Sequence, residues 1–308
     1  GFGPPWPGRE HATSPLGMKR PAAAMDSGEI PGVEACYTFP PAPNAVMVDI
    51  FAREKGLDIS KIEKYVDLPA LDNRSEANLK MNPQGSVPWF VLKNGEVLAE
   101  TIAMMEYIEE VVPEPPLVGK TAAERGHVRM WQRRMEEHYC IPAFYGHRNW
   151  CHSEDCAPDH FMKDFFGRRL TPHHGATVIP EAWKGWLTWA KNKLLWLDRI
   201  KQEEAKENGG KTTEFIAGDS ISMVDVQVWV VLWFFGDAFP HPPQKYLEEL
   251  AGQIPWVQAW YDRVAARPSV VAAKAYREKS MAENVTAQSQ TSQNAETVAA
   301  AKAMETGK

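Results

Sequence analysis

Residues 82–107, NPQGSVPWFVLKNGEVLAETIAMMEY, constrain the fold more than any other part of the chain. A Val87-Pro88 dipeptide opens one strand, Asn94-Gly95 turns it back into a second, and Glu100-Thr101 leads directly into a helix. Asn-Gly between apolar runs predicts a two-residue type I′ hairpin, because both residues tolerate positive φ. Val87-Pro88 at a strand edge suits a cis peptide and leaves the Val87 N–H and C=O free to pair with something extended. Thr101 is expected to cap the helix, whose spare N-terminal amides attract a carboxylate. The segment reads as a holder for a short acidic peptide.

The surrounding order is regular. Residues 34–39 (EACYTF) read as a first strand, stopped by Pro40-Pro41. Residues 44–55 read as a helix, with Val46/Ile50 and Met47/Phe51 at i,i+4 and Gly56 as its stop. A second strand over 62–66, a short helix over 75–81, the hairpin and a helix over 101–111 complete a βαβαββα order. With a proline at the third strand, this is a thioredoxin-like α/β domain over 33–112. Pro113-Glu114-Pro115-Pro116 breaks the pattern, and 113–120 reads as a stiff linker.

Residues 121–279 read as a second, all-helical domain. Thr121 and Glu124 have capping-box spacing and start a helix running to about Tyr139; a His/Cys/Pro-rich loop is expected over 146–180, and an amphipathic helix over 181–207. Ser222 and Asp225 form a second capping box, flanked by Ile221 and Val226 as a hydrophobic staple, so Asp225 reads as a folding residue. The apolar run 224–235 is too short to span a bilayer and reads as a buried helix. A helix near 256–266 and a short one after Pro268 close the domain. Residues 1–32, rich in Pro and Gly, read as a disordered leader, with a transit remnant or upstream read-through as alternatives. Residues 280–308 read as a solvated tail.

The chain has 308 residues, enough for two cores, and a formal net charge of −6, which argues against nucleic acid as the main partner. Four cysteines are too few for a disulfide scaffold, and a reducing, cytoplasmic setting is expected, with organellar targeting by the leader left open. There is no C-x-x-C motif. Cys140, His147, Cys151, His152, Cys156, His160, His173 and His174 cluster in sequence, but their spacing does not match paired zinc ligands, and no metal is expected.

The run N-P-x-G-x-V-P, a hairpin and then E-T, together with the Ser222/Asp225 element, resembles the soluble glutathione transferases over residues 34–275. The Ala42-Pro43-Asn44 string is nearest to bacterial-type members with Thr-Pro-Asn at the first turn. That resemblance implies glutathione as co-substrate, an apolar electrophile or a peroxide or disulfide as second substrate, and a homodimer. It implies that Val87 pairs its backbone with the cysteinyl part of glutathione and that Pro88 fixes this geometry. Glu100 would take the γ-glutamyl ammonium, and Thr101 its carboxylate. Arg74 and Ser86 align with holders of the glycyl carboxylate, or are a surface residue and a turn hydroxyl.

A sulfur used as thiolate needs a donor, because a free thiol has a pKa of about 8.5. Where relatives place a hydroxyl this chain has Ala42, so the resemblance assigns the role to Asn44, which also suits a plain helix cap. Tyr37 and Thr38 are fallback donors or ordinary strand residues. Cys36, inside the first strand, reads as a buried small apolar residue. Phe144, Tyr145, Trp150, Phe161, Phe165 and Phe166 either wall the second-substrate pocket or pack the domain interface. Twelve tryptophans, with Trp189/Trp196 and Trp229/Trp233 at helical spacing, read as core or subunit contact. The missing hydroxyl also motivates an alternative reading as a catalytically weak binding or scaffold protein within a larger assembly.

Overall fold

The computed structural model describes residues 28–158, 163, 178–237 and 245–283. The leader up to residue 27 and the tail from 284 lie outside it, as do Phe161, Phe165, Phe166, His160, His173 and His174. A four-stranded sheet of order β2-β1-β3-β4 forms the first domain. Its strands are β1 (Val33–Thr38), β2 (Glu63–Tyr65), β3 (Trp89–Leu92) and β4 (Val97–Ala99). β1 runs parallel to β2 and antiparallel to β3, and β3 antiparallel to β4. With α1 (Pro43–Glu54), α2 (Glu76–Met81) and α3 (Thr101–Val111), the chain follows the expected βαβαββα order. Buried Val46, Ile50 and Phe51 of α1 join Met104, Met105 and Ile108 of α3 in the main core. Tyr37, Val87 and Trp89 belong to a second, smaller cluster.

The hairpin differs from expectation. Only Gly95 has positive φ (84°), and Leu92 C=O accepts from Gly95 N–H while Leu92 N–H donates to Glu96 C=O. This is a three-residue loop closed by a left-handed glycine, not a type I′ turn. Asn94 supports it from its side chain, Oδ1 accepting from Glu96 N–H at 3.0 Å, so it needs no positive φ of its own.

The second domain begins with α4 (Ala122–Met135), started by the Thr121/Glu124 capping box. A π-turn at Glu136–Cys140 carries the helix directly into α5 (Ile141–His152). A loop was expected over part of this stretch. Pro142 has no N–H to direct at the carbonyl four residues earlier, and the chain widens by a π-turn there instead of stopping. α6 (Trp183–Glu207), α7 (Met223–Gly236), α8 (Tyr246–Glu249) and α9 (Pro255–Ala265) follow. Every residue of α7 is buried, as its all-round apolar sequence requires. No helix among the described residues is long and apolar enough to cross a membrane. The last helix among the described residues, α10, runs from 268 through 283, past the expected start of the tail.

Three contacts tie this domain back onto the first. Arg267 forms a two-pronged pair with Glu54 (both contacts 2.6 Å), Tyr276 donates to Glu63 at 2.7 Å, and Arg277 Nε donates to Pro41 C=O at 3.2 Å. Burial pushes the carboxyl groups of Asp49 and Glu63 above their usual range, against the lowering effect of Arg53 and Tyr276. Groups raised in the native state contribute stability that is complete below the unfolded carboxylate pKa and is lost as pH rises through the raised native values. Glu63→Gln keeps an acceptor for Tyr276 and removes one desolvated charge. It is expected to flatten the dependence of Tm on pH just above the ordinary carboxylate range, without lowering Tm at neutral pH. A steeper profile in the variant would contradict this.

Candidate functional site

Strand register brings three short segments together. Trp89 pairs with Ala99 on β4 and with Tyr37 on β1. The residues just before Trp89, Val87-Pro88, therefore lie beside Glu100-Thr101 on one side and the end of β1 on the other. Pro88 shares a small cavity with Cys36, Thr38, Pro40, Glu63 and Tyr276. The site is thus an edge where the turn after β1, the segment before β3 and the start of α3 meet.

The Val87–Pro88 peptide is cis. Val87 is buried, and neither its N–H nor its C=O has a hydrogen-bond partner among the described residues. Buried backbone groups are almost always paired, and an unpaired N–H and C=O on one residue is the pattern to which another backbone can add. A small scaffold holds the segment. Asn82 Nδ2 donates to Ser86 C=O at 2.9 Å, and Asn73 Nδ2 to Gly85 C=O at 2.6 Å. Gly85 has φ +59°, and an added Cβ would meet the Arg74 guanidinium at 2.8–3.0 Å. Arg74 Nη1 donates to Gln84 C=O at 3.2 Å, and half-buried Ser86 lies between Gly85 and Val87. Neither Asn73 nor Asn82 stood out in the sequence, although N-P-x-G contains the second.

Thr101 is not the cap of α3. It is the first helical residue, and exposed Glu100 takes the cap position at φ +70°, ψ 118° without a side-chain cap bond. A left-handed non-glycine residue costs about 1–3 kcal/mol and persists where the surroundings impose it, characteristically at ligand clamps. The first amides of α3 are left for an external acceptor. No residue type near Glu100 signals this strained backbone.

The first turn departs from expectation in a similar way. Asn44 is not a cap either. Ala42 occupies that position with no side-chain bond, Pro43 is the first helical residue, and half-buried Asn44 the second. The Asn44 side chain makes no hydrogen bond among the described residues. Ala42 N–H closes the turn on Phe39 C=O at 2.8 Å, which leaves the Asn44 and Ala45 amides at the open end of α1. Tyr37 stacks flat on Trp89 (5.0 Å, 7°), while Thr38 is 4% exposed and faces the small cavity. Cys36 is buried, and burial pushes its thiol well up, as suits a core residue.

Of the aromatic residues considered as pocket walls, Phe144 packs edge-on against Phe235, and Trp150 is buried beside Cys151 and Cys156. Tyr145 instead stacks on Trp186 at the surface, next to Trp189, which is 46% exposed. Trp229 and Trp233 stack within the core. Among the described residues no three His, Cys, Asp or Glu side chains gather as metal ligands.

Comparison with known proteins finds a family match in each domain. The family model "Glutathione S-transferase, N-terminal domain" matches residues 42–111, and "Glutathione S-transferase, C-terminal domain" matches 194–263. The chain is 27% identical over 248 residues to Glutathione S-transferase 2 of Saccharomyces cerevisiae, covering 79% of this chain and 91% of that one. It is 24% identical over 256 residues to Protein LigF of Sphingobium sp., covering 76% and 90%. Its fold matches the crystal structure of Gtt2 from Saccharomyces cerevisiae with a TM-score of 0.59, 24% identity and coverage of 78% and 99%. Beta-etherase LigF from Sphingobium sp. gives a TM-score of 0.56 at 20% identity, covering 79% and 98%. Two domain models matched in order and a relative aligned over nearly its whole length lead to one conclusion: this chain belongs to the soluble glutathione S-transferase family.

Proposed function

We propose that this chain binds glutathione along the Val87 edge and uses it as a thiol, either in conjugation to an apolar electrophile or in reduction of a peroxide or disulfide. The open backbone pair of buried Val87, next to a cis Pro88, carries this reading. It is complementary to the centre of glutathione, which presents the backbone N–H and C=O of its cysteinyl residue. Glu100 takes the γ-glutamyl ammonium, and Thr101 with the first amides of α3 takes the neighbouring carboxylate. Arg74 and Ser86 stand at the glycyl end. Asn44, with the amides at the open end of α1, faces the sulfur; Tyr37 and Thr38, stacked and buried respectively, are less suited to reach it. A homodimer acting in the cytoplasm belongs to the same reading, and the mass in solution tests the dimer.

Loss of a charge-assisted contact costs about 2 kcal/mol, or ~30-fold in Kd. Glu100→Ala is therefore expected to weaken glutathione binding by that factor in titration calorimetry, with little change in Tm. Unchanged affinity would remove Glu100 from the site. Ala42 favours a second reading, a binding protein with weak turnover, because the turn has no hydroxyl for the sulfur. Wild-type protein that binds glutathione yet does not turn over a reactive chloronitrobenzene or a hydroperoxide would favour it.

A further inference from the structure

The turn that faces the sulfur is held from the far end of the chain. α10 lies against it through Arg277, which is 5% exposed and donates from Nε to the carbonyl of Pro41, one residue before Ala42. The guanidinium is fixed from behind by the rings of Trp233 and Phe234 on α7, at 5.2 and 5.5 Å. Glu278 is an acidic neighbour on its own helix, and Lys274 lies over the Trp233 ring at 5.6 Å; α7 contributes rings, and the first turn its carbonyl. Asp49, Arg53 and Glu63 gather around the adjacent Tyr276 instead.

We propose that Arg277 is a positioning residue for the thiol end of the site, fixing the Pro41-Ala42-Pro43-Asn44 turn so that the open amides of α1 and the Asn44 side chain converge on the sulfur. Two physical effects follow from one contact. The hydrogen bond to Pro41 sets the direction of the helix start, whose partial positive charge falls off within a turn and so depends on aim. The guanidinium also adds a full positive charge behind that turn, in surroundings where water screens it little, and positive charge near a thiol favours the thiolate. A turn without a hydroxyl depends on both.

The inference rests on the glutathione reading, so its test has one arm that needs glutathione and one that does not. In Arg277→Met, the pKa of bound glutathione, followed by thiolate absorbance, is expected to rise by about one unit. Turnover near neutral pH should fall about tenfold and recover as pH is raised, while Kd for glutathione changes less than threefold. Arg277→Lys should lie between wild type and Met, since an ammonium keeps the charge and loses the fork. Tyr276→Phe, which loosens the same helix without touching the turn, should leave the thiolate pKa where it was.

The second arm is hydrogen exchange without ligand. Arg277→Met should speed exchange in residues 41–48, and Tyr276→Phe should not. If exchange there is unchanged, Arg277 does not hold the turn and the proposal is overturned. An equal shift of the thiolate pKa in Arg277→Met and Tyr276→Phe would overturn it too, since helix docking alone would then be responsible. Failure of the wild type to bind glutathione, with the exchange effect intact, would refute the functional reading and leave the positioning contact standing.

Discussion

Asp225→Ala is expected to unfold this protein more readily than any other single carboxylate change, lowering stability by about 3–5 kcal/mol. Asp225 is fully buried and accepts from Ile216 N–H, Ser222 N–H, Ser222 Oγ and the Trp260 indole, all at 2.7–2.8 Å. Burial raises its carboxyl pKa even though each of those four donors lowers it, so the anion sits in a costly place and is held there by its contacts. Truncation leaves three or four buried donors without an acceptor, at about 1–3 kcal/mol each before relaxation. At roughly 2–4 °C of Tm per kcal/mol for a chain of this size, a drop near 10 °C is expected. Asp225→Asn retains one carbonyl acceptor and should recover part of the loss. A fall of less than 1 kcal/mol by urea unfolding would mean that the 215–222 loop finds other partners.

Lys55→Met should be comparably damaging, for a different reason. Lys55 has a fully buried side chain that pairs with Glu109 and donates to Pro115 C=O. Glu109 in turn accepts from the amides of Leu117 and Val118 at 3.1–3.3 Å, so the pair joins α1 and α3 to the linker. Removing the cation leaves a buried carboxylate without its counter-charge, a change that typically costs about 3–5 kcal/mol. Lys55→Met with Glu109→Gln removes both charges and keeps an acceptor for the linker amides. The double variant is expected to be at least 2 kcal/mol more stable than Lys55→Met alone, a coupling within the range for contacting groups. Equal stabilities of the single and double variants would show that the pair is not coupled.

The repeating parts of the fold were legible in the sequence. The βαβαββα order, both capping boxes and the buried α7 all follow from short-range pattern, because each depends on residues within a few positions of one another. Three local misreadings share a cause. At Asn94, Thr101 and Asn44 the residue type suited a cap or a left-handed turn, yet a neighbour took that role. Gly95 supplied the positive φ, Glu100 was driven into it, and Pro43 shifted the helix start one residue earlier. At Pro142 a helix breaker produced a π-turn, since α5 has enough packing on α6 and α7 to continue.

The remainder of the site and much of the helical packing were not legible because they depend on partners distant in sequence. Asp198 on α6 accepts from Val257 N–H at 3.0 Å and caps α9 from another helix. Nothing in the sequence near either residue announces that contact. The openness of the Val87 backbone was anticipated from Val-Pro at a strand edge, whereas the strain at Glu100 and the reach of Arg277 to Pro41 emerge only from the assembled domains.

The docking of α10 has a consequence for the order in which the molecule is made. Arg277 and Pro41 are 236 positions apart in the chain. At ordinary synthesis rates, roughly 10–50 s separate the appearance of one from that of the other. Over that interval the first domain can build its sheet and its Val87 edge, but the first turn has no arginine behind it. A nascent chain on the ribosome can therefore form the Val87 edge before its first turn is braced, and a helix made much later finishes that turn.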